Sequence, residues 1–308
     1  MTSPILAVPE RDLGAPRAAA AAPPRTRPFY WSVRRELWEN RSIYLAPLGV
    51  GAFAVAAIAI HGVTMPSHGA TMLGSDPANP ASVTYRVNTL LLLITAFVVG
   101  AFYSLDALSG ERRDRGILFW KSLPVSDLTT VLAKASIPLV VLPLLTLATI
   151  VAAQLLLLLL SVVFVLVQGG SVAKLWNDVQ PVRMWLTMPY VVAAMALWHA
   201  PVYGFLLLVS GWARRTAVLW AVLPLFAVAL LEKLTMDTLH VASAIAYRLI
   251  GWYREAFLVT APERTPFNTA TSLAPERFLA APGLWIGLVL AALFIAGAVR
   301  MRRLREPI

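Results

Sequence analysis

The chain has 308 residues, 58% of them hydrophobic and 14% charged, with a mean hydropathy of +0.71. A soluble domain averages about 45–50% apolar and about 25% charged residues, so a soluble globular enzyme is excluded, and intrinsic disorder, which needs low hydrophobicity, goes with it. The net charge of +10 comes from 26 Lys and Arg against 16 Asp and Glu. Such a balance suits nucleic acid or membrane topology, and the positions of the charges decide between them.

Residues 1–28 are rich in Ala, Pro and Arg and have no apolar core long enough for a signal peptide. They read as a disordered cytoplasmic tail. Residues 29–43 then mix aromatics with charges. Phe29, Tyr30, Val33 and Leu37 fall on one helical arc, Arg35, Glu36 and Glu39 elsewhere, while Trp31 and Trp38 interrupt the separation. An amphipathic helix lying at the membrane interface is expected.

Residues 44–299 form one transmembrane domain with six apolar stretches, each to be compared with the roughly 20 residues that cross a bilayer. They run from Tyr44 to Val63, Thr89 to Leu108, Ile137 to Val167, Tyr190 to Trp212, Thr216 to Leu231 and Pro282 to Val299. The third, at 31 residues, tilts or projects, and Pro138 and Pro143 bend its start. Pro201 and Gly204 mark a kink in the fourth. The fold class is therefore an all-α polytopic membrane protein.

With both termini cytoplasmic, the inner side carries 18 Lys and Arg and the outer side 8. That asymmetry obeys the positive-inside rule, which accounts for the basic balance without nucleic acid. Residues 300–308 are then a basic cytoplasmic tail. The absence of cysteine removes disulfides, thiolate metal sites and a cysteine nucleophile, and fits a bacterial inner membrane.

Residues 232–281 include a run too apolar for an ordinary loop. A seventh span there would bury Arg248 at a cost of about 2.5–3.5 kcal/mol and export the basic tail. One or two helices dipping into the outer leaflet are expected instead, with Val241, Ile245, Leu249 and Trp252 as the buried stripe. A plain extracellular amphipathic helix is the alternative.

No phosphate loop, H-E-x-x-H or G-x-S-x-G occurs, so no catalytic residue, metal site or enzyme activity is assigned to this chain. The strongest feature is the loop at 109–136, after the second span. Glu111, Arg112, Arg113, Asp114 and Arg115 form a dense charge cluster. Ile117, Leu118, Phe119, Trp120 and Leu123 form a short apolar run that Pro124 ends. Ser126 then reads as an N-cap with Asp127 in the first turn, and Leu128, Val131, Leu132 and Ala135 follow at helical spacing. A charged elbow with exposed apolar residues suits docking to a partner. Topology anchoring with Phe119 and Trp120 at the lipid interface is the plainer reading.

Glu111-Arg112, Gly116-Ile117, Lys121-Ser122-Leu123-Pro124-Val125-Ser126 and Lys134 resemble the signature of the type-2 ABC transporter permeases. The match holds in order and spacing over about thirty residues, with Ile117 where the family commonly has Thr or Ser. Beyond the loop the resemblance is architectural. It implies the transmembrane subunit of an ABC exporter, working as a pair with a second copy or a similar chain. ATP and Mg would be bound by a separate ATPase subunit. Glu111 to Arg115 and Ile117 to Pro124 would dock that subunit, Arg214 and Arg215 would make a shorter second contact, and helix 29–43 would brace it. A secondary transporter, a membrane enzyme and an accessory assembly protein are the competing classes. The first lacks repeated halves here and the second lacks clustered catalytic residues.

Among intramembrane polar residues, Gln154 and His199 are the candidates for a substrate path. For each, hydrogen bonding within the bundle is the alternative, and for Asp106 an ordinary solvated helix end. The apolar spans favour a hydrophobic or amphipathic cargo over an ion.

Overall fold

The computed structural model describes residues 26–64, 80–110, 125–213, 216–258 and 272–304. Helix α1, Thr26–Glu39, stops where the backbone and side-chain nitrogens of Asn40 both donate to the Glu36 carbonyl. That closure lets the chain turn directly into α2, Ser42–Thr64, the first span. The second span, α3, is Pro80–Asp106 and starts well before Thr89. Proline suits a first helical turn, and the polar residues Arg86 and Asn88 had hidden the helical start from a reading based on hydropathy.

The third span is one long path. Helix α4, Asp127–Ser136, passes through a π turn at Ile137–Val141 into α5, Leu142–Val167. The Leu142 N–H bonds to the Ile137 carbonyl, five residues back. The widened turn is how the helix absorbs Pro138 and Pro143, which break the ordinary ladder. Gly169, at φ +69°, closes α5 while the Gly170 N–H returns to the Val165 carbonyl.

A short helix α6, Val172–Val179, precedes the fourth span α7, Pro181–Trp212. Then come α8, Ala217–Met236, the fifth span, and α9, His240–Ala256. A two-residue antiparallel ribbon pairs β1, Phe257–Leu258, with β2, Ser272–Leu273. Helix α10, Pro275–Ala280, leads into α11, Pro282–Leu304, the sixth span. Six helices among the described residues are long and apolar enough to cross a membrane. The protein is a multi-pass, all-α membrane protein.

Helix α7 is the axis of the bundle, with seventeen buried residues, whereas α8 buries only Ala221. Its broadest interface is with α11. Lipid is as apolar as leucine, so spans associate through close backbone approach rather than through hydrophobic exclusion. Ala200, Gly204, Leu207 and Gly211 form one buried ridge of α7, opposite Ala291 and Ala298 of α11. A Cβ at Gly204 would stand 3.2 Å from the Ala291 carbonyl oxygen and 3.3 Å from its Cα.

Helix α9 docks onto this axis, and its inner face differs from the expected stripe. Trp252 is buried, but Leu249 is 39% exposed. Arg248 turns inward instead. Its guanidinium donates to the Trp198 carbonyl at 3.2 Å and the Gly283 carbonyl at 2.8 Å, and lies 4.9 Å from the Trp198 ring centre. The Trp198 indole N–H donates back to the Arg248 carbonyl at 3.0 Å. Two carbonyls and an indole face offset the cost of desolvating the cation, so the helix presents its arginine rather than its leucine. Gly287 leaves room for it, since a Cβ there would come within 2.7 Å of both terminal nitrogens. Trp252, Ala256, Phe257 and Phe278 accordingly join the main core with Trp198 and Leu284.

Replacing Gly204 with Leu forces side-chain atoms into the α11 backbone. Overpacking of this kind costs about 1–3 kcal/mol. The expected result is a lower thermal unfolding midpoint in detergent, while Gly49→Leu, at a position with open space around it, leaves the midpoint unchanged.

Candidate functional site

One end of the bundle holds a linked set of buried charges and hydrogen bonds. The contacts place there α1, the end of α3, the start of α4, the end of α7 and the end of α11. The proposed docking residues Glu111, Arg112, Arg113, Asp114, Arg115, Ile117, Leu118, Phe119, Trp120, Leu123 and Pro124, and also Arg214 and Arg215, lie outside the described residues. Their flanks are described, and both are firmly tied.

On the upstream flank, α3 ends at Asp106, and the N–H groups of Leu108 and Ser109 both donate to the Ser210 hydroxyl at 3.0 Å. Ser210 is fully buried near the end of α7. The exit from the second span is thus fastened to the exit from the fourth. Asp106 is exposed, as a solvated helix end would be.

On the downstream flank, Ser126 caps α4 by accepting from the Thr129 N–H at 3.1 Å. This satisfies one of the donors that a helix start leaves free. Asp127 meets Arg302 of α11 at 3.2 Å, and the Arg302 side chain is 4% exposed. About two turns further along, Lys134 points into the protein. Of the expected α4 stripe, Val131 and Ala135 are buried, while Leu128 and Leu132 are 48% and 41% exposed.

Lys134 finds Glu36. Its ammonium donates to one carboxylate oxygen at 2.8 Å, Arg35 donates to the same oxygen at 2.8 Å, and the Tyr103 hydroxyl donates to the other at 2.8 Å. Both the Glu36 and Lys134 side chains are almost inaccessible to solvent. Glu36 had been placed off the apolar arc of α1; it lies on the buried face. Seven residues from Phe29 and three from Val33 bring it round to the same side. Val33 and Leu37 pack beside it against the cluster of Ile43, Tyr103, Ala107 and Ile137. Burial alone would raise the Glu36 carboxyl, but the Lys134 ammonium, with Arg35 and the Tyr103 hydroxyl, holds it below its ordinary value of 4.5.

Gln154 and His199 occupy separate settings. Gln154 is fully buried and donates to the Thr89 hydroxyl at 2.9 Å, tying α5 to α3, while nearby the Tyr85 hydroxyl meets Ser161 at 3.2 Å. His199 has one ring nitrogen 2.8 Å from the Met195 carbonyl and the other 3.1 Å from the Leu249 carbonyl of α9. Each residue joins two helices by hydrogen bonds.

Glu36, Tyr103, Ser210 and Arg302 carried no assignment in the sequence reading, and Lys134 appeared there only as part of a motif. One signal was present: Lys134 is one of four lysines against 22 arginines. Its partner lies 98 residues away, and no local pattern reveals such a pairing. No family model, curated protein or solved structure matches the chain.

Removing one member of a buried pair leaves the other uncompensated, typically at a cost of about 3–5 kcal/mol, whereas replacing both with apolar residues often costs little. Glu36→Met and Lys134→Met are each expected to lower the unfolding midpoint strongly, and the double substitution less than either. The pH dependence has a definite sign. Because the folded carboxyl titrates below the unfolded one, its contribution is complete above 4.5 and disappears as pH falls through the folded value. The midpoint difference between wild type and Glu36→Gln is expected to be constant from neutral pH down to 4.5 and to shrink below it.

Proposed function

We propose that this chain is the permease subunit of an ABC exporter, set as a multi-pass protein in a bacterial inner membrane with both termini in the cytoplasm. A separate ATPase subunit docks on the loop at 111–124 and on Arg214 and Arg215, and α1 braces it from beside the bundle. A second copy or a similar permease chain completes the pore. A hydrophobic or amphipathic molecule is the cargo, moved when ATP and Mg in the partner drive the pair between inward- and outward-facing states.

The observation that carries this reading is the E-R-x-x-x-G-I-x-x-x-K-S-L-P-V-S sequence lying between two tethered helix ends. A docking loop transmits force only if its flanks are stiff. Ser210 holds one flank to α7, while Arg302 and Glu36 hold the other to α11 and α1. A push on the loop is therefore shared among the second, third, fourth and sixth spans. In this reading Gln154 and His199 are cross-braces, and the cargo path runs between the two permease chains.

The test is purification of the tagged chain from its native membrane in mild detergent. A phosphate-loop ATPase is expected to accompany it, and Glu111→Arg with Leu123→Asp to abolish both that association and transport while membrane insertion persists. An inserted, stable chain with no ATPase partner, or full transport by the double variant, would favour a secondary transporter or an accessory protein.

A further inference from the structure

Helix α1 and the start of α4 enclose a cleft of about 280 Å³, lined by Trp31, Arg34, Arg35 and Trp38 on one side and by Val125 and Thr130 on the other. Trp31, Arg34 and Trp38 share one face of α1, spaced by three and four residues. The Arg34 guanidinium lies 5.1 Å from the Trp31 ring centre and 4.6 Å from that of Trp38. Stacking uses the faces of a guanidinium and leaves its N–H donors, which lie in the plane, aimed outward.

The neighbouring carboxylates are already engaged. Glu36 belongs to Lys134, Arg35 and Tyr103, and Glu39 meets Arg35 at 3.5 Å. Among the described residues, no carboxylate pairs with Arg34. The site is thus a preorganised cation with a vacant donor edge.

Its surroundings identify the anion. Helix α1 runs through Asn40 and Arg41 straight into the first span at Ser42, so Trp38 stands four residues from the start of that span. Tyr30, Trp31 and Trp38 are more than half exposed, as aromatic side chains at a membrane interface are. We infer that the cleft binds the headgroup of an anionic phospholipid, with the phosphodiester on the Arg34 donor edge and the glycerol and upper acyl chain against the two indoles. A free phosphate would use the cation and leave the indoles uncovered. This inference rests on the membrane fold and not on the transporter reading.

The test is native mass spectrometry of the detergent-purified full chain in an equimolar mixture of phosphatidylglycerol and phosphatidylcholine. The wild type is expected to retain phosphatidylglycerol selectively. Arg34→Gln is expected to lower that selectivity about fivefold, the factor carried by one arginine near an anionic surface. Arg34→Lys is expected to fall between them, because an ammonium keeps the charge and loses the flat stacking. Arg300→Gln, an exposed cation at the same end, makes the same charge change elsewhere and is expected to leave selectivity intact. Equal selectivity of wild type and Arg34→Gln would overturn the site. Displacement of the lipid by millimolar inorganic phosphate would reassign it to a free anion. If Arg34→Gln kept its lipid and lost a bound protein, the cleft would be a protein-docking surface and the lipid assignment would fail. An unchanged unfolding midpoint for Arg34→Gln shows that the loss is not misfolding.

Discussion

The organisation of the charged end depends on one buried ion pair, Glu36 with Lys134. Taking two charges out of water costs several kcal/mol per ion, and mutual attraction offsets this only with good geometry and further hydrogen bonds. Here the further bonds are present. Arg35 shares one carboxylate oxygen and Tyr103 occupies the other, so the anion is solvated by protein. The pair joins helices brought together from distant parts of the chain, and Tyr103 adds the second span. Apolar packing in a bilayer has little directional preference, because lipid competes for every apolar face. A buried ion pair admits one register, and that selectivity is what it contributes to an otherwise apolar assembly.

The same logic operates at the other end with a different device. Arg248 and Trp198 exchange backbone hydrogen bonds in both directions while their side chains stack, and His199 adds a bond to the next carbonyl of α9. Between these two polar locks, the α7–α11 contact relies on small residues. The fifth span shares almost none of this, with only Ala221 buried. Its long apolar side chains face outward along its length, which suits lipid or another membrane helix and gives the bundle a firm axis with one loosely held flank.

Much of this was legible in the sequence because it is local. Six spans follow from runs of apolar residues, and the Ser126 cap follows from a serine placed before an amphipathic repeat. The prolines at 138 and 143 announced a disturbance, though not that a π turn would absorb it. Helix starts were harder to locate, since α3 and α7 begin among polar residues that dilute the hydropathy signal. What stayed hidden was pairing across distance. Glu36 was placed off the apolar arc of its helix, and Arg248 was read as an obstacle to burial. In both cases partners far along the chain reverse the inference, turning a costly charge into a fixed point.

The choice of lysine at 134 fits the chemistry of its partner. In a chain that otherwise prefers arginine, the cation that α4 buries against Glu36 is an ammonium. A guanidinium opposite a carboxylate favours a two-pronged arrangement that engages both oxygens. At Glu36 that option is closed, because Tyr103 holds one oxygen and Arg35 already shares the other. An ammonium is a compact donor that can approach a single oxygen without displacing either neighbour. The tyrosine is what ties the second span into the cluster, so a bidentate partner would strengthen one contact at the expense of the three-helix junction. Lysine keeps all three helices on one carboxylate, and so holds both flanks of the 111–124 loop in register.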